Sequence, residues 1–170
     1  MTSRWLWVAL LAIVAAAAYG GNVLATPGTG FTGSTLATAT FGEIDSHVHT
    51  VPADWQEIIK TKGRSDLYVQ SNVWAVGGST SSTGWHTHPG PSFIIVTAGA
   101  VTVYDGDDPT CSPHVYSAGG PDKAFVDPGG GHVHVIRNEG TVEARTIAVQ
   151  LIPAGAVRRQ DAPDPGNCPF

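Results

Sequence analysis

Two segments carry histidines two positions apart: Gly84-Trp-His-Thr-His-Pro-Gly-Pro-Ser92 and Asp127-Pro-Gly-Gly-Gly-His-Val-His-Val-Ile-Arg-Asn138. On a β-strand alternate side chains share a face, so His86 and His88 would project together. If the second segment is also a strand, His132, His134 and Ile136 share one face. Imidazoles converging from two strands suit Zn, Cu, Fe or Ni. Buried without a metal, four such rings would all need hydrogen-bond partners, which favours the metal.

Other reactive residues offer less. His47-Val-His49 is a third pair, without a partner glycine or acid, and reads as a solvated strand edge. His114 follows Cys-Ser-Pro in a turn. Asp105-Gly-Asp-Asp108 lacks the spaced acids of a calcium loop and reads as a hairpin turn. Ser92 has no GxSxG context, which rejects a hydrolase nucleophile. Trp74, Trp85 and Phe93 could line a pocket or serve as core. The two cysteines, Cys111 and Cys168, have no CxxC neighbour, and in an exported chain such a pair is expected to form a disulfide.

The scaffold that must position these residues reads as all-β. Short apolar runs separated by turn formers mark strands at Leu36–Glu43, Gln56–Thr61, Leu67–Val76, Phe93–Thr97, Ala100–Tyr104, Lys123–Val126, Val133–Arg137 and Ala144–Leu151. No segment sustains a 3.6-residue period, although Trp55–Lys62 could also form a short helix. Eight or more such strands fit a closed barrel or jelly roll, because closure removes exposed edges.

Here the chain resembles the cupin superfamily. After His86-Thr-His88 come three residues, then Ser92, then six residues to Gly99, which follows the first cupin motif. Gly131-His-Val-His134-Val-Ile-Arg-Asn138 follows the second, with Pro128 one position too far away. The resemblance covers roughly residues 67–151. It implies a double-stranded β-helix (jelly-roll) barrel with one divalent metal inside, on His86, His88 and His134. The glutamate that usually completes the first motif is Ser92 here. Three neutral imidazoles then leave the metal its full charge and open positions, similar to the three-His centre of thiol dioxygenase cupins. His132 is the extra histidine, either a replacement ligand, a tuning group, or a proton shuttle and hence the candidate catalytic acid/base.

The resemblance implies either a metal-dependent oxidoreductase or isomerase acting on a small molecule, or a non-catalytic module binding a sugar or metabolite. Whether the protein is an enzyme stays open at this level, as does the choice among Fe, Mn, Zn, Ni and Cu. A homodimer is compatible with the family.

The chain has 170 residues, one domain's worth, and a formal net charge of −5. Arg4 precedes the uncharged apolar run Trp5 to Tyr19, and small residues follow at Val23-Leu24-Ala25. This reads as a signal peptide over 1–25, with an uncleaved anchor as the alternative, and places the protein outside the cell or at the envelope exterior. Without that segment the net charge is −6, and the remaining Lys and Arg are scattered, so nucleic acid is excluded as a partner. No membrane contact is expected beyond the signal. The expected organisation is a flexible leader over 26–35, a barrel over 36–155, and an irregular tail over 156–170 pinned by Cys168.

Overall fold

The computed structural model describes residues 25–52, 54–76 and 81–170, so the expected signal segment lies outside the described residues apart from Ala25. The strands are β1 (Phe31–Phe41), β2 (Asp45–Thr50), β3 (Trp55–Lys60), β4 (Ser65–Trp74), β5 (Ser81–Ser82), β6 (His86–Thr87), β7 (Ser92–Ala98), β8 (Ala100–Asp105), β9 (His114–Ser117), β10 (Ala124–Asp127), β11 (His134–Asn138), β12 (Ala144–Pro153) and β13 (Gln160–Asp161). Among the described residues no helix is long and apolar enough to cross a membrane.

One sheet has the order β1-β4-β12-β7-β10; the other has β13-β6-β11-β8-β9, with β5 also on β11. All these pairs are antiparallel. Successive strands cross between the sheets: β4, β7, β10 and β12 lie in one, and β6, β8, β9 and β11 in the other. That winding is a jelly roll, and it is all-β as the sequence implied.

Alternation along the strands decides what enters the barrel. On β7 Ser92, Ile94 and Val96 are buried while Phe93 and Ile95 stay about half exposed. On β12 Ala144, Thr146, Ala148, Gln150 and Ile152 turn inward. One end is filled by Trp74, Val96, Val101, Val103, Ile136 and Ala144. Nearer the histidines the lining is polar, with Gln70, Thr83, Thr146 and Gln150 all buried. All five residues of β11 are buried, because the chain's end covers its outer side. Trp85, Tyr104, Val135, Ala162 and Cys168 form that outer cluster. Phe170 stacks on Trp85 and lies under the Arg137 guanidinium.

Both termini are more tightly built in than the sequence suggests. The leader expected to be flexible over 26–35 instead enters the fold, since β1 starts at Phe31 and pairs Phe31 to Thr35 with Trp74 to Gln70. Thr26 Oγ1 accepts from the Trp85 backbone N–H at 2.7 Å, and Thr29 and Ser82 exchange two backbone bonds. Its Gly and Thr residues carry no hydrophobic pattern; the edge of β4 supplies the pairing. The tail contains β13, paired with β6, and a disulfide between Cys111 and Cys168 with Cα atoms 5.2 Å apart. Trp55–Lys60 is a strand and not a helix. It pairs with β2 in a largely exposed hairpin that holds His47 and His49 away from the barrel interior.

Candidate metal centre

His86 opens the inner face of β6, and His88 follows two residues later on the same side. His134 begins β11 and is the register partner of His86. All three side chains are buried, and one nitrogen of each lies within 4.8 Å of the others. The expected convergence is therefore present, and these three rings line a cavity of about 40 Å³ with Ser92 and Trp74.

Two backbone carbonyls set the tautomers. His86 Nδ1 donates to Gly84 O at 2.9 Å, and His88 Nδ1 donates to Arg158 O at 2.9 Å. A carbonyl can only accept, so each Nδ1 carries the proton and each Nε2 keeps a lone pair for a metal. Backbone-held Nδ1 atoms are the usual support of ligating histidines. Burial lowers all three pKa values, His88 and His134 to about 4 and His86 well below its ordinary value. The rings are neutral near pH 7, as ligation requires.

The loops around the rings lock together. Gly129 has a φ of +66°, and a Cβ there would overlap the Gly90 carbonyl. The close approach lets Gly130 N–H bond to His88 O at 2.8 Å. Gly84 has a φ of +70°, and a Cβ would overlap Thr26 O. Asn138, the closing residue of the second motif, has a structural task. Its amide donates to Val142 O at 2.8 Å, with Trp74 O and Ala75 O at 3.4 and 3.3 Å.

The sequence reasoning missed Asp127. It ends β10 directly across from Ser92, and its side chain is only 3% exposed. Oδ1 accepts from Gly129 N–H at 3.2 Å and lies 3.1 Å from His132 Nδ1 and 3.5 Å from His134 Nδ1. Oδ2 has no hydrogen-bond partner and lies 3.9 Å from His88 Nε2. A buried carboxylate oxygen facing neutral imidazoles calls for a cation. His134 Nδ1 is likewise buried without a partner. The available signal was Asp127 itself, the only acid within the second histidine segment, directly after the expected strand Lys123–Val126.

His132 precedes β11 and does not share its inner face as expected; it sits in the loop, side chain 23% exposed. It still joins Asp127 and His134 in a second group of converging donors. Its Nε2 is 3.4 Å from Asp105 Oδ1. His134 lines both the histidine cavity and a neighbouring one of about 120 Å³, bordered by Asp105, His114, Asp127 and His132. Asp108 instead caps its own turn, accepting from the Thr110 hydroxyl and from the Ser112 and Thr110 N–H groups, which holds its pKa down. Of the aromatic residues, Trp74 lines the cavity, Trp85 belongs to the outer cluster and Phe93 faces outward.

No family model and no curated protein matches the chain. Solved structures similar to it include a cupin superfamily protein from Desulfitobacterium hafniense, 12% identical with a TM-score of 0.41 over 70% of this chain and 81% of that one. A double-stranded β-helix protein from Klebsiella pneumoniae is 20% identical, with a TM-score of 0.42 over 72% and 80%. An oxalate oxidase is 21% identical, with a TM-score of 0.41 over 52% of this chain and 46% of its own. Two antiparallel sheets wound as a jelly roll, with His86, His88 and His134 turned inward, give this chain the double-stranded β-helix fold that the cupin resemblance implied.

Proposed function

We propose that the protein is an exported cupin whose barrel holds one divalent metal on His86, His88 and His134, and that it acts on a small molecule there. Export accords with the apolar N-terminal segment and with a disulfide, which persists in oxidising compartments. The barrel is the functional unit, and the chain's end is one of its walls.

The observation that carries this reading is the pair of backbone carbonyls at Nδ1 of His86 and His88, beside the unpartnered Oδ2 of Asp127. A bound divalent ion would supply Lewis-acid or redox chemistry. The three rings would hold it, and the polar wall of Thr146, Gln150 and Ser92 would orient what binds beside it. His132 reaches from buried Asp127 to half-buried Asp105, so it is placed to pass a proton between the interior and solvent. That pairing favours a metal-dependent oxidoreductase or isomerase over a non-catalytic binding module, which needs no such link.

Elemental analysis of protein purified without added metal tests the centre. About one divalent ion per chain is expected, falling to near zero in the His86→Ala/His88→Ala double variant. Undiminished content in that variant would refute it.

A further inference from the structure

We propose that the barrel pocket takes a small carboxylate, captured by the guanidinium of Arg158; this rests on the metal reading above. The C-terminal segment delivers two arginines, Arg158 and Arg159, to the wall of the cavity lined by His86, His88 and His134. Their situations differ. Arg159 is paired with Asp161 and also donates to Thr83 O. Arg158 is half-buried and donates one hydrogen bond, from Nη1 to Gln150 Oε1 at 3.0 Å, and no carboxylate of the described residues lies within ion-pair distance of it. A guanidinium carries five N–H donors in a planar fork that matches a carboxylate. Partly withdrawn from water and unpaired with an acid, it is a poor structural element and a ready anion receptor.

Gln150 places that receptor beside the proposed metal ligands. Its Oε1 accepts from Arg158, and its amide packs against the His88 ring, Nε2 lying 3.1 Å from Nδ1 without a hydrogen bond because both nitrogens carry protons. Arg158's own carbonyl holds His88 through the same nitrogen. The guanidinium is thus one side chain away from a ligand ring. Charge points the same way. The three rings are neutral, Arg159 is balanced by Asp161, and Asp127 offsets one charge. With a divalent ion and Arg158 the pocket carries two positive charges in excess. Size narrows the class further. A cavity of about 40 Å³ holds the equivalent of roughly three water molecules. A carboxylate of a few heavy atoms suits a site of that size.

The test uses full-length, zinc-loaded protein titrated calorimetrically with glycolate, with glycolamide as the neutral counterpart and inorganic phosphate as the competing anion. Glycolate is expected to bind at least about 10-fold more tightly than either. Arg158→Gln should weaken glycolate by about 10- to 100-fold at unchanged zinc content, since charge-assisted bonds of this type are worth about 1.5–3 kcal/mol. Arg158→Lys, which keeps the charge and loses the fork, should fall between. Far-UV circular dichroism and zinc content confirm that each variant is folded, and Arg158→Lys decides if Arg158→Gln is not. Equal binding of glycolate and glycolamide, equal or tighter binding of phosphate, or wild-type glycolate affinity in the variants would overturn the proposal. Failure of the wild type to bind zinc would overturn the metal reading instead. The same titration of metal-free protein and its Arg158 variants would then decide the carboxylate site alone.

Discussion

Ser92 on β7 and Asp127 on β10 are direct register partners, and both are buried against the histidine cluster. The first cupin motif offers its acid from the position that Ser92 occupies. In this protein the neighbouring strand presents a carboxylate at the same level of the barrel. Ser92 thus has a buried carboxylate one strand away, at its own level of the barrel.

If Asp127 serves the metal, Asp127→Asn, which keeps shape and removes charge, should weaken zinc binding by about 10- to 100-fold, the range for lost supporting partners. Ser92→Glu should restore much of the affinity in the Asp127→Asn background. In the wild type it sets two acids side by side and should add little. Competition titration with a chromophoric chelator measures all three proteins. Wild-type affinity in Asp127→Asn would exclude the carboxylate from the centre.

The metal-free protein should lose stability in mild acid. His88 and His134 are held at about 4 when folded, against an ordinary value of 6.5, and His86 is shifted the same way. Between those values the unfolded chain binds more protons than the folded one, so stability rises with pH across that window. The contribution is complete above about 6.5 and is lost as pH falls toward about 4. Thermal melts of chelator-treated protein at pH 7.5 and 4.5 should show a lower Tm in acid. The difference should shrink in His134→Ala. Equal melts at both pH values would contradict the burial of neutral rings.

The disulfide closes a loop with a sequence separation of 57 residues. The chain-entropy account assigns such a loop about 4 kcal/mol. Cys111→Ser/Cys168→Ser should therefore lower the Tm and disturb tryptophan fluorescence, because Phe170 packs over Trp85. Zinc content should persist, since the ligand rings lie in the barrel and β13, paired with β6, still holds the segment that carries Arg158. Titration of the native, non-reduced protein should find no thiol; two thiols would rule the bridge out.

Gly129→Ala would force a positive φ on a residue with a Cβ and drive that atom into the Gly90 carbonyl. Strain of this kind costs about 1–3 kcal/mol. The turn joins Asp127 to the His88 loop, so metal affinity should fall together with stability. An unchanged Tm and unchanged affinity would show that this contact does not hold the site.

Much of the architecture was legible because it is written in short-range pattern. The barrel strands show as short apolar runs between turn formers, and HxH spacing states that two rings share a side. His86, His88 and His134 could be named once the two segments were matched to the cupin motifs, as could the cysteine pair once an exported chain was inferred. The built-in leader was not legible, since its stability comes from the strand it pairs with and not from any apolar stripe of its own.

What only the tertiary structure decided depends on contacts between residues far apart in the chain. Asp127 faces Ser92 because a crossing between sheets returns β10 to β7, and no local spacing encodes that register. His132 left the inner face because β11 begins at His134. The tail was expected to run irregularly over the surface, having few apolar residues to dock it. The disulfide pins it as expected, and through Ala162 and β13 it also covers the second sheet and carries Arg158 to the pocket. Residue types and their periodicity determined which side chains could ligate. The three-dimensional closure of the barrel determined which acid and which cation stand beside them.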